Sequence, residues 1–336
     1  MSLPRMGLGC MNLSHAYGVA PSPAEGLALL RAARDLGVGM LDTATLYGGG
    51  RNEELVGSAL RAMPGWREEI VLASKGGMAL ESGVKVIDGR PETLRRQVDA
   101  SLSRLGVEHI DLYYLHRWDK RVPIAESVGA LADLVAAGKI GAIGLSEVSV
   151  ARLREALEVA PVAAPIVAVQ NEYSLWSRNP ELGMLDATAD LGIALVAFSP
   201  VARGFLADGV TDPASLVEGD IRRGMPRFQP AHWPANAALL PAWNALAAEA
   251  GCTPAQLALA WLLSRGDHVV PIPGTTSVAH LQEDVAALDV AVPAELLARA
   301  GALIDTATVS GPRYAPGPAA EVDAESFDGV VPEGDA

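Results

Sequence analysis

Short apolar runs recur along the chain, and each is followed by a stretch with helical periodicity. Most runs are continuously apolar rather than alternating, which is typical of strands that are buried on both faces of a parallel sheet. There are eight: MGLGCM (6–11), VGMLD (38–42), IVLAS (70–74), IDLYYLH (110–116), IGAIGLS (140–146), IVAVQNEY (166–173), IALVAFSP (193–200) and HVVPIPG (268–274).

The stretches between the runs indicate amphipathic helices. PAEGLALLRAARDLG (23–37) and PETLRRQVDASLSRLG (91–106) repeat apolar residues with a period of about 3.6, and each ends on a glycine. Eight strand–helix repeats predict an α/β fold, a (β/α)8 TIM barrel. A doubly wound sheet has the same alternation, but the chain lacks G-x-G-x-x-G after an early strand and lacks a Walker A sequence.

The length and composition favour a single barrel domain over residues 1–305. Residues 306–336 form an acidic, Gly/Pro/Ala-rich C-terminal tail, in which acidic residues dominate from Glu321 and whose end is predicted to be disordered. One connection, from about Ala207 to Ala238, is long and contains Arg222, Arg223 and Arg227. Connections of this length are usually functional or disordered.

The charge of the chain bears on its partners and location. A formal net charge of −14 in 336 residues argues against binding to nucleic acid or to anionic membrane surfaces. Two cysteines at unrelated positions fit a reducing compartment, and neither a secretory signal nor an apolar stretch of the roughly 18 residues needed to span a membrane is visible. We therefore expect a cytoplasmic protein whose partner is a small molecule; the oligomeric state stays open.

Four polar residues follow three consecutive runs. Asp42 ends the second run, Tyr47 lies just after it, Lys75 ends the third and His116 ends the fourth. Since the carboxyl ends of barrel strands meet on one face, we expect these side chains to converge. A charged lysine lowers the pKa of a neighbouring phenol, so the four residues suit proton donation to a carbonyl oxygen. Each residue alone has an ordinary explanation, as a cap, a packed ring or a solvated charge.

The runs that follow strands seven and eight suggest a binding site. FSPVARGFL (198–206) and PIPGTTSVAHLQED (271–284) occupy the positions where barrels often bind phosphate. Thr275, Thr276 and Ser277 stand where a helix is predicted to begin, and the N–H groups and dipole of that helix would favour an anion. Ordinary helix capping by these hydroxyls is the alternative. No metal site is predicted, because His109 and His116 would face opposite sides of a strand and no third ligand is evident.

Seven motifs in order, DTATLYG, SKGG, DLYYLH, GLSEVS, QNEYSLW, FSPVARG and PIPGTTS, resemble the aldo-keto reductase superfamily from about residue 6 to residue 305. GCMNLSHAYG, LHRWD and EYSLW look most like the branch that includes pyridoxal and perakine reductases. The resemblance implies a catalytic tetrad of Asp42, Tyr47, Lys75 and His116. In the family the tyrosine is the general acid, lysine paired with aspartate lowers its pKa, and histidine orients the carbonyl.

The resemblance also implies a nicotinamide cofactor, NADPH with NADH as the other option, which binds before the substrate. The 207–238 connection would then be a clamp over the cofactor. Cofactor contacts are implied for Ser146, Gln170, Phe198, Ser199, Pro200, Val201, Arg203, Gly204, Arg227, Gly274, Thr275, Thr276, Ser277, His280, Glu283 and Asp284.

Several positions depart from the family pattern. Glu147 stands where asparagine is frequent, Ser277 replaces a lysine or arginine expected near the 2′-phosphate, and His280 replaces an arginine. The family's Glu-Asn pair becomes Glu283-Asp284. The short hairpin that usually covers the bottom of the barrel has no counterpart in the few residues before GLGCM.

The predicted substrate pocket comprises Met11, Tyr17, Leu46, Trp118 and Trp176, whose character suits an aromatic or heteroaromatic aldehyde such as pyridoxal. The resemblance thus implies reduction of an aldehyde or ketone to the alcohol. The alternative is a cofactor-binding regulatory subunit with little turnover, since channel-associated β subunits share this fold and tetrad.

Overall fold

In the computed structural model, residues 1–14, 16–81 and 84–327 are described. Eight parallel strands form one sheet in the order β1-β2-β3-β6-β7-β8-β9-β10, and β4 and β5 form a separate antiparallel pair. The strands are β1 (Leu8–Gly9), β2 (Met40–Asp42), β3 (Val71–Gly76), β4 (Met78–Glu81), β5 (Val84–Ile87), β6 (Ile110–Leu115), β7 (Ile140–Ser146), β8 (Ile166–Glu172), β9 (Ala194–Phe198) and β10 (Val269–Ile272).

The first and last strands of the sheet close it into a barrel. Gly7 N donates to Pro271 O at 3.1 Å, and Gly9 N donates to Pro273 O at 2.9 Å. Each of the eight apolar runs contains one barrel strand. The predicted (β/α)8 barrel is therefore confirmed, and the doubly wound alternative is wrong.

Helices follow the strands as the periodicity predicted. Among the described residues they are α1 (Pro23–Asp35), α2 (Arg51–Ala62), α3 (Trp66–Glu69), α4 (Pro91–Leu105), α5 (Ile124–Ala136), α6 (Val150–Val159), α7 (Met184–Leu191), α8 (Trp233–Ala237), α9 (Leu240–Glu249), α10 (Pro254–Leu263), α11 (Val278–Ala286), α12 (Ala294–Leu303) and α13 (Pro316–Ala320). A capping box between Ser22 and Glu25 begins α1, and Gly106, at φ 68°, ends α4.

In the described ranges no single helix has both the length and the apolar composition needed to cross a membrane. One pair, Trp233–Glu249 with Pro254–Leu263, has them only together and is bent by 77°.

Two apolar layers hold the barrel together. One fills its interior, where Met40, Leu112, Tyr114 and Val196 are buried from three different strands. The other lies between the strands and the surrounding helices. Leu3 packs against the interior cluster. The N-terminal segment thus reaches the interior layer without a hairpin, since residues 1–7 contain no strand.

The hairpin of this chain lies elsewhere and was not predicted. β4 and β5 follow β3 directly and pair from Met78–Ile87 to Glu81–Val84. Met78 and Lys85 bring this hairpin to the wall of the central cleft. Its sequence, MALESGVKVI, carries only a weak alternation of apolar and polar residues, which gives little signal for a strand.

The long connection from 207 to 238 is compact. It consists of short turns and helices, and Asp220 anchors it to the loop after β1 by accepting a bond from Gly18 N at 2.8 Å. Ile221 N donates to Ala16 O in the same loop at 2.9 Å. These two bonds join segments that both line the cleft, which is the arrangement expected of a clamp.

The C-terminal segment packs on the barrel as far as it is described. Arg313 is buried and forms an ion pair with Glu147, while Ser149 N donates to Asp323 at 3.0 Å. Val322 is also buried. Polar and apolar contacts thus hold the described part of the tail on the barrel. Residues 328–336, at the end predicted to be disordered, lie outside the described ones. Glu147 stands where asparagine is frequent in the family, and its ion pair with Arg313 explains the carboxylate at this position.

The Arg313–Glu147 pair gives a test of this docking. Arg313→Leu should lower the free energy of unfolding by roughly 3–5 kcal/mol, because it leaves Glu147 as a buried carboxylate without its partner. Urea titration followed by circular dichroism measures the loss.

Arg95→Leu is the matched control, since Arg95 pairs with Asp133 on the surface, where both side chains are about half exposed or more, at 48% and 67%. Its loss should stay below about 1 kcal/mol. Equal losses in the two variants would mean that the C-terminal segment contributes little to the fold.

Candidate active site

Four polar side chains converge at the carboxyl ends of neighbouring strands. Asp42 is the last residue of β2, Lys75 lies in β3 and His116 directly follows β6. These strands are consecutive in the sheet, so the side chains reach the same edge of the barrel. Tyr47 joins them from the loop after β2, and its ring centroid lies 5.8 Å from that of His116.

Lys75 makes the contacts that connect this cluster. Its fully buried Nζ forms an ion pair with Asp42 and donates to Thr43 O at 3.0 Å and to Tyr47 Oη at 3.1 Å. Three acceptors thus satisfy the three N–H groups of the ammonium. Asp42 Oδ2 accepts a further bond from Gln170 Nε2 at 2.8 Å. A buried ion pair is stable only when its donors and acceptors are satisfied in this way.

A run of glycines sets the position of Tyr47. Gly48, Gly49 and Gly50 have φ angles of 59°, 66° and 96°, in the left-handed region that side chains with a Cβ disfavour. They turn the chain sharply from Tyr47 into α2. At Gly50 an added Cβ would also lie 2.9 Å from Arg104.

Burial and charge act in opposite directions on this cluster. Burial raises the pKa of Tyr47, and the nearby charge of Lys75 reduces that rise without cancelling it. Burial also works to lower the pKa of Lys75, but the charge of Asp42, the neighbouring Tyr47 and the hydrogen bonds to both together outweigh it and raise the pKa overall. The lysine is therefore held charged and the tyrosine protonated. The predicted lowering effect of Lys75 on the pKa of Tyr47 is present, but burial has the larger effect in the protein without ligands.

A cleft of about 420 Å³ opens beside these residues. Its wall contains most of the residues that the sequence predicted for the site: Met11, Tyr17, Asp42, Leu46, Tyr47, His116, Ser146, Gln170, Phe198, Ser199, Pro200, Val201, Arg203, Gly204, Gly274, Thr275, His280, Glu283 and Asp284. Lys75 lies beneath the wall, where Tyr47 and Asp42 separate it from solvent.

The loop after β9 has unusual backbone geometry. Ser199, Ala202, Arg203 and Gly204 have φ angles of 53°, 54°, 58° and 88°. Non-glycine residues in this region cost about 1 kcal/mol or more each, and such strain is concentrated at functional sites. Successive N–H groups in turns of this kind form concavities that bind anions. The loop therefore suits the phosphate contact predicted for it.

Arg203 in this loop takes part in a buried charge network. Its Nη2 donates to Glu172 at 2.5 Å and to Tyr314 Oη at 3.0 Å, and its Nη1 donates to Tyr17 Oη at 2.9 Å. Burial would raise the pKa of Glu172, but Arg203 and Arg313 beside it lower the pKa overall. A carboxylate thus already balances the charge of Arg203.

The end of the cleft at α11 matches only part of the prediction. Ser277 is the N-cap of α11, where its Oγ accepts from His280 N at 3.4 Å. Thr275 Oγ1 accepts from Ser277 N at 3.0 Å. Capping is therefore the role of these hydroxyls in the structure. Asp284, almost buried in the same wall, has its pKa raised to about 7 by burial and by the charge of Glu283.

Besides Lys75, five predicted residues are absent from the described wall of the cleft. Thr276 and Ser277 belong to the exposed turn and cap before α11. Arg227 instead donates to Trp176 O and to Gly311 O. Trp176 stacks on Phe205 with ring centroids 4.2 Å apart.

Trp118, the fifth, donates to Val122 O at 2.9 Å and carries Arg152 3.6 Å above its ring. The assignment of both tryptophans to the substrate pocket is therefore corrected: they pack between loops and helices.

The cleft also contains residues that the sequence did not single out. Asn12 Nδ2 donates to Gly274 O at 3.1 Å and links the loops after β1 and β10. Arg117, beside His116, donates to Ser146 Oγ at 3.2 Å. Arg222 and Tyr314 enter the wall from the long connection and from the C-terminal segment. Asn12 and Arg117 adjoin the predicted residues Met11 and His116 but have no distinctive pattern of their own, and Arg222 was noted only as part of the long connection.

Within the described ranges, no group of three or more His, Cys, Asp or Glu side chains is arranged to hold a metal ion. His109 contacts Gly138 O at 2.8 Å outside the cleft.

Comparison with known proteins gives a consistent result. The model of the aldo/keto reductase family matches residues 5–305. An NADP(+) aldo-keto reductase, yakc of Schizosaccharomyces pombe, is 39% identical over 326 residues, which cover 96% of this chain and 94% of the relative.

Solved structures of similar proteins share the fold over nearly the whole chain. A glycerol dehydrogenase from Gluconobacter oxydans has a TM-score of 0.81 at 27% identity, covering 93% of this chain and 94% of its own. An aldo-keto reductase from Bacillus halodurans, in its holo form, has a TM-score of 0.73 at 26% identity, with coverage of 92% and 95%.

The raised pKa of Asp284 gives a prediction for stability. An unfolded aspartate ionises near its ordinary pKa of 3.8, whereas the folded one ionises near 7, so the folded state loses stability as the pH rises between these values. Asp284→Asn should therefore raise the melting temperature of the protein without ligands at pH 8, and the gain should shrink toward pH 4. Calorimetry at several pH values measures it.

The exposed Asp190→Asn is the control and should change the melting temperature little at any pH. A gain for Asp284→Asn that is the same at pH 4 and pH 8 would contradict the buried, proton-retaining carboxyl.

Proposed function

This chain belongs to the aldo/keto reductase family, and we propose that it reduces an aldehyde or ketone to the alcohol with NADPH, with Tyr47 as the general acid. Family membership makes it an oxidoreductase acting on carbonyl or CH–OH groups. The observation that carries the finer proposal is the contact of Tyr47 Oη with Lys75 Nζ at 3.1 Å, in the wall of the cleft.

The chemistry of the chain's own residues follows from that contact. Because the Tyr47 oxygen accepts a bond from Lys75, the proton that this oxygen can donate is its own. As negative charge develops on a carbonyl oxygen, the Lys75 charge stabilises the phenolate that remains after the proton has moved. Asp42 keeps Lys75 charged, and His116 stands beside Tyr47 to orient the carbonyl oxygen.

The cleft fits a nicotinamide dinucleotide. The left-handed loop 199–204 offers N–H groups to a pyrophosphate, and α11 begins at the far end beside Thr275. Ser146 and Gln170, which are paired in register on β7 and β8, would hold the carboxamide beside Tyr47. When bound, the cofactor supplies the hydride that the carbonyl carbon receives.

NADPH is favoured by the likeness to the NADP(+) reductase of Schizosaccharomyces pombe. The chain's own residues place His280, rather than Ser277, in the cleft wall near the start of α11. His280 is therefore the side chain proposed to contact a 2′-phosphate, by charge when it is protonated.

The substrate is proposed to be an aldehyde with an apolar, flat body, such as an aromatic or heteroaromatic aldehyde. Met11, Leu46 and Met78 give the reaction end of the cleft apolar walls, and Tyr17 adds a ring. These residues support the proposal without the two tryptophans that the sequence had suggested.

The proposal is tested by following nicotinamide absorbance with NADPH or NADH and a panel of aldehydes. Wild-type protein should turn over with NADPH, and Tyr47→Phe should lower kcat by about 10²- to 10⁴-fold, because the general acid is lost. The dissociation constant of NADPH should stay within a few-fold, since the lost hydroxyl acts on the carbonyl.

Tyr173→Phe serves as the matched control: Tyr173 Oη contacts Glu181 away from the cleft, so kcat should be retained. Turnover that survives Tyr47→Phe unchanged would remove Tyr47 from its role. NADPH binding without reduction of any carbonyl would instead favour a regulatory subunit.

A further inference from the structure

The cations in the cleft wall differ in how their charge is balanced. Arg203 faces Glu172 at 2.5 Å, Arg222 faces Asp220 at 2.7 Å and Lys85 faces Glu321 at 2.5 Å. Arg117 is the remaining lysine or arginine of the described wall. No carboxylate of the described residues lies within 4.0 Å of it, although the chain carries a net charge of −14.

The guanidinium of Arg117 is held at one nitrogen only. Nη1 donates to His116 O at 2.6 Å and to Ser146 Oγ at 3.2 Å. The N–H groups on Nε and Nη2 have no hydrogen-bond partner in the ranges that the structure describes. The side chain is half-buried, so a fixed cation with three open donors faces the cleft.

Arg117 lies at the reaction end of the cleft. It follows β6, the strand that also positions His116, and its charge acts with that of Lys75 against the effect of burial on the pKa of Tyr47. β6 stands four places from β10 in the closed order of eight strands, on the opposite side of the barrel. The loops proposed to hold the cofactor phosphates are therefore remote from it.

We infer that the substrate of this enzyme carries a carboxylate, or a similar planar anion, that Arg117 binds while the carbonyl faces Tyr47. The inference rests on the proposed function and adds to it the class of substrate. A half-buried cation without a counter-ion is costly, and a carboxylate would satisfy two of its parallel N–H groups. Between this anion and the carbonyl, Leu46 and Met78 would contact an apolar body.

Matched substrates test the inference. Each of 2-, 3- and 4-carboxybenzaldehyde is compared with its methyl ester, under saturating NADPH. For the isomer whose geometry fits, wild-type kcat/KM should be about ten- to hundredfold higher for the acid than for the ester, the range expected for hydrogen bonds to a charged group. Arg117→Gln should remove this ratio by raising KM for the acid at least about tenfold more than KM for the ester. Arg117→Lys should restore part of the ratio.

Arg121→Gln is the control, since it removes the same charge from the same loop. Arg121 is 76% exposed, pairs with Asp119 and does not line the cleft, so the acid-to-ester ratio should stay at the wild-type value. The melting temperature and NADPH dissociation constant of each variant establish that it is folded.

The outcomes separate the inference from the proposed function. Equal wild-type kcat/KM for acid and ester in all three isomers would overturn the inference. An equal loss of kcat/KM for acid and ester in Arg117→Gln would also overturn it, because Arg117 would then act by positioning Ser146 or Tyr47. Wild-type protein that binds NADPH and reduces neither member of any pair contradicts the proposed function itself.

If Arg117→Gln does not fold, inhibition of the wild type decides. Benzoate should compete with a neutral aldehyde at concentrations at least about tenfold below those of benzamide, which has the same shape without the charge. Equal inhibition by the two compounds would overturn the inference.

Discussion

The buried ion pair between Asp42 and Lys75 is the contact around which the functional end of this barrel is arranged. Two charges taken out of water are costly unless every remaining donor and acceptor finds a partner. Here the partners come from separate parts of the chain: the backbone of Thr43, the phenol of Tyr47 and the amide of Gln170. Satisfying the pair therefore fixes the loop after β2, the end of β3 and the end of β8 relative to one another. A phenol held beside a permanent cation results from that requirement.

A second set of buried charges also joins separate parts of the chain beside the cleft. Glu172 on β8 meets Arg203 from the loop after β9, and Arg313 from the C-terminal segment meets Glu147 after β7. Arg203 belongs to the strained loop at 199–204 and also donates to Tyr314 in the C-terminal segment. The same contacts therefore hold the left-handed residues of the loop and fix the C-terminal segment. The loop at 199–204 and the C-terminal segment are thus connected through charges, while the apolar layers hold the barrel beneath them.

The sequence alone was sufficient to predict the barrel and the convergence of the four residues at its strand ends, because both leave local signals. A buried parallel strand is a continuous apolar run, and a polar residue at its end stands out, as Asp42, Lys75 and His116 do. Trp118, Trp176 and Arg227 were misplaced because their partners, such as Arg152 and Phe205, are remote in sequence. The same holds for Glu147, whose unusual carboxylate is explained only by Arg313, 166 residues away. Arg117 was overlooked because a charge beside a strand end has no distinctive pattern until its missing counter-ion is seen.

The central claim is that Lys75 acts on the reaction through Tyr47. A double-mutant cycle on the single-turnover rate of carbonyl reduction, combining Tyr47→Phe with the charge-neutral pair Asp42→Asn/Lys75→Met, tests it most directly. The account predicts that each change alone slows reduction, and that removing the ion pair in the Tyr47→Phe background slows it less than about threefold further, because residues acting as a unit are not additive. Losses that simply multiply in the combined variant would contradict it.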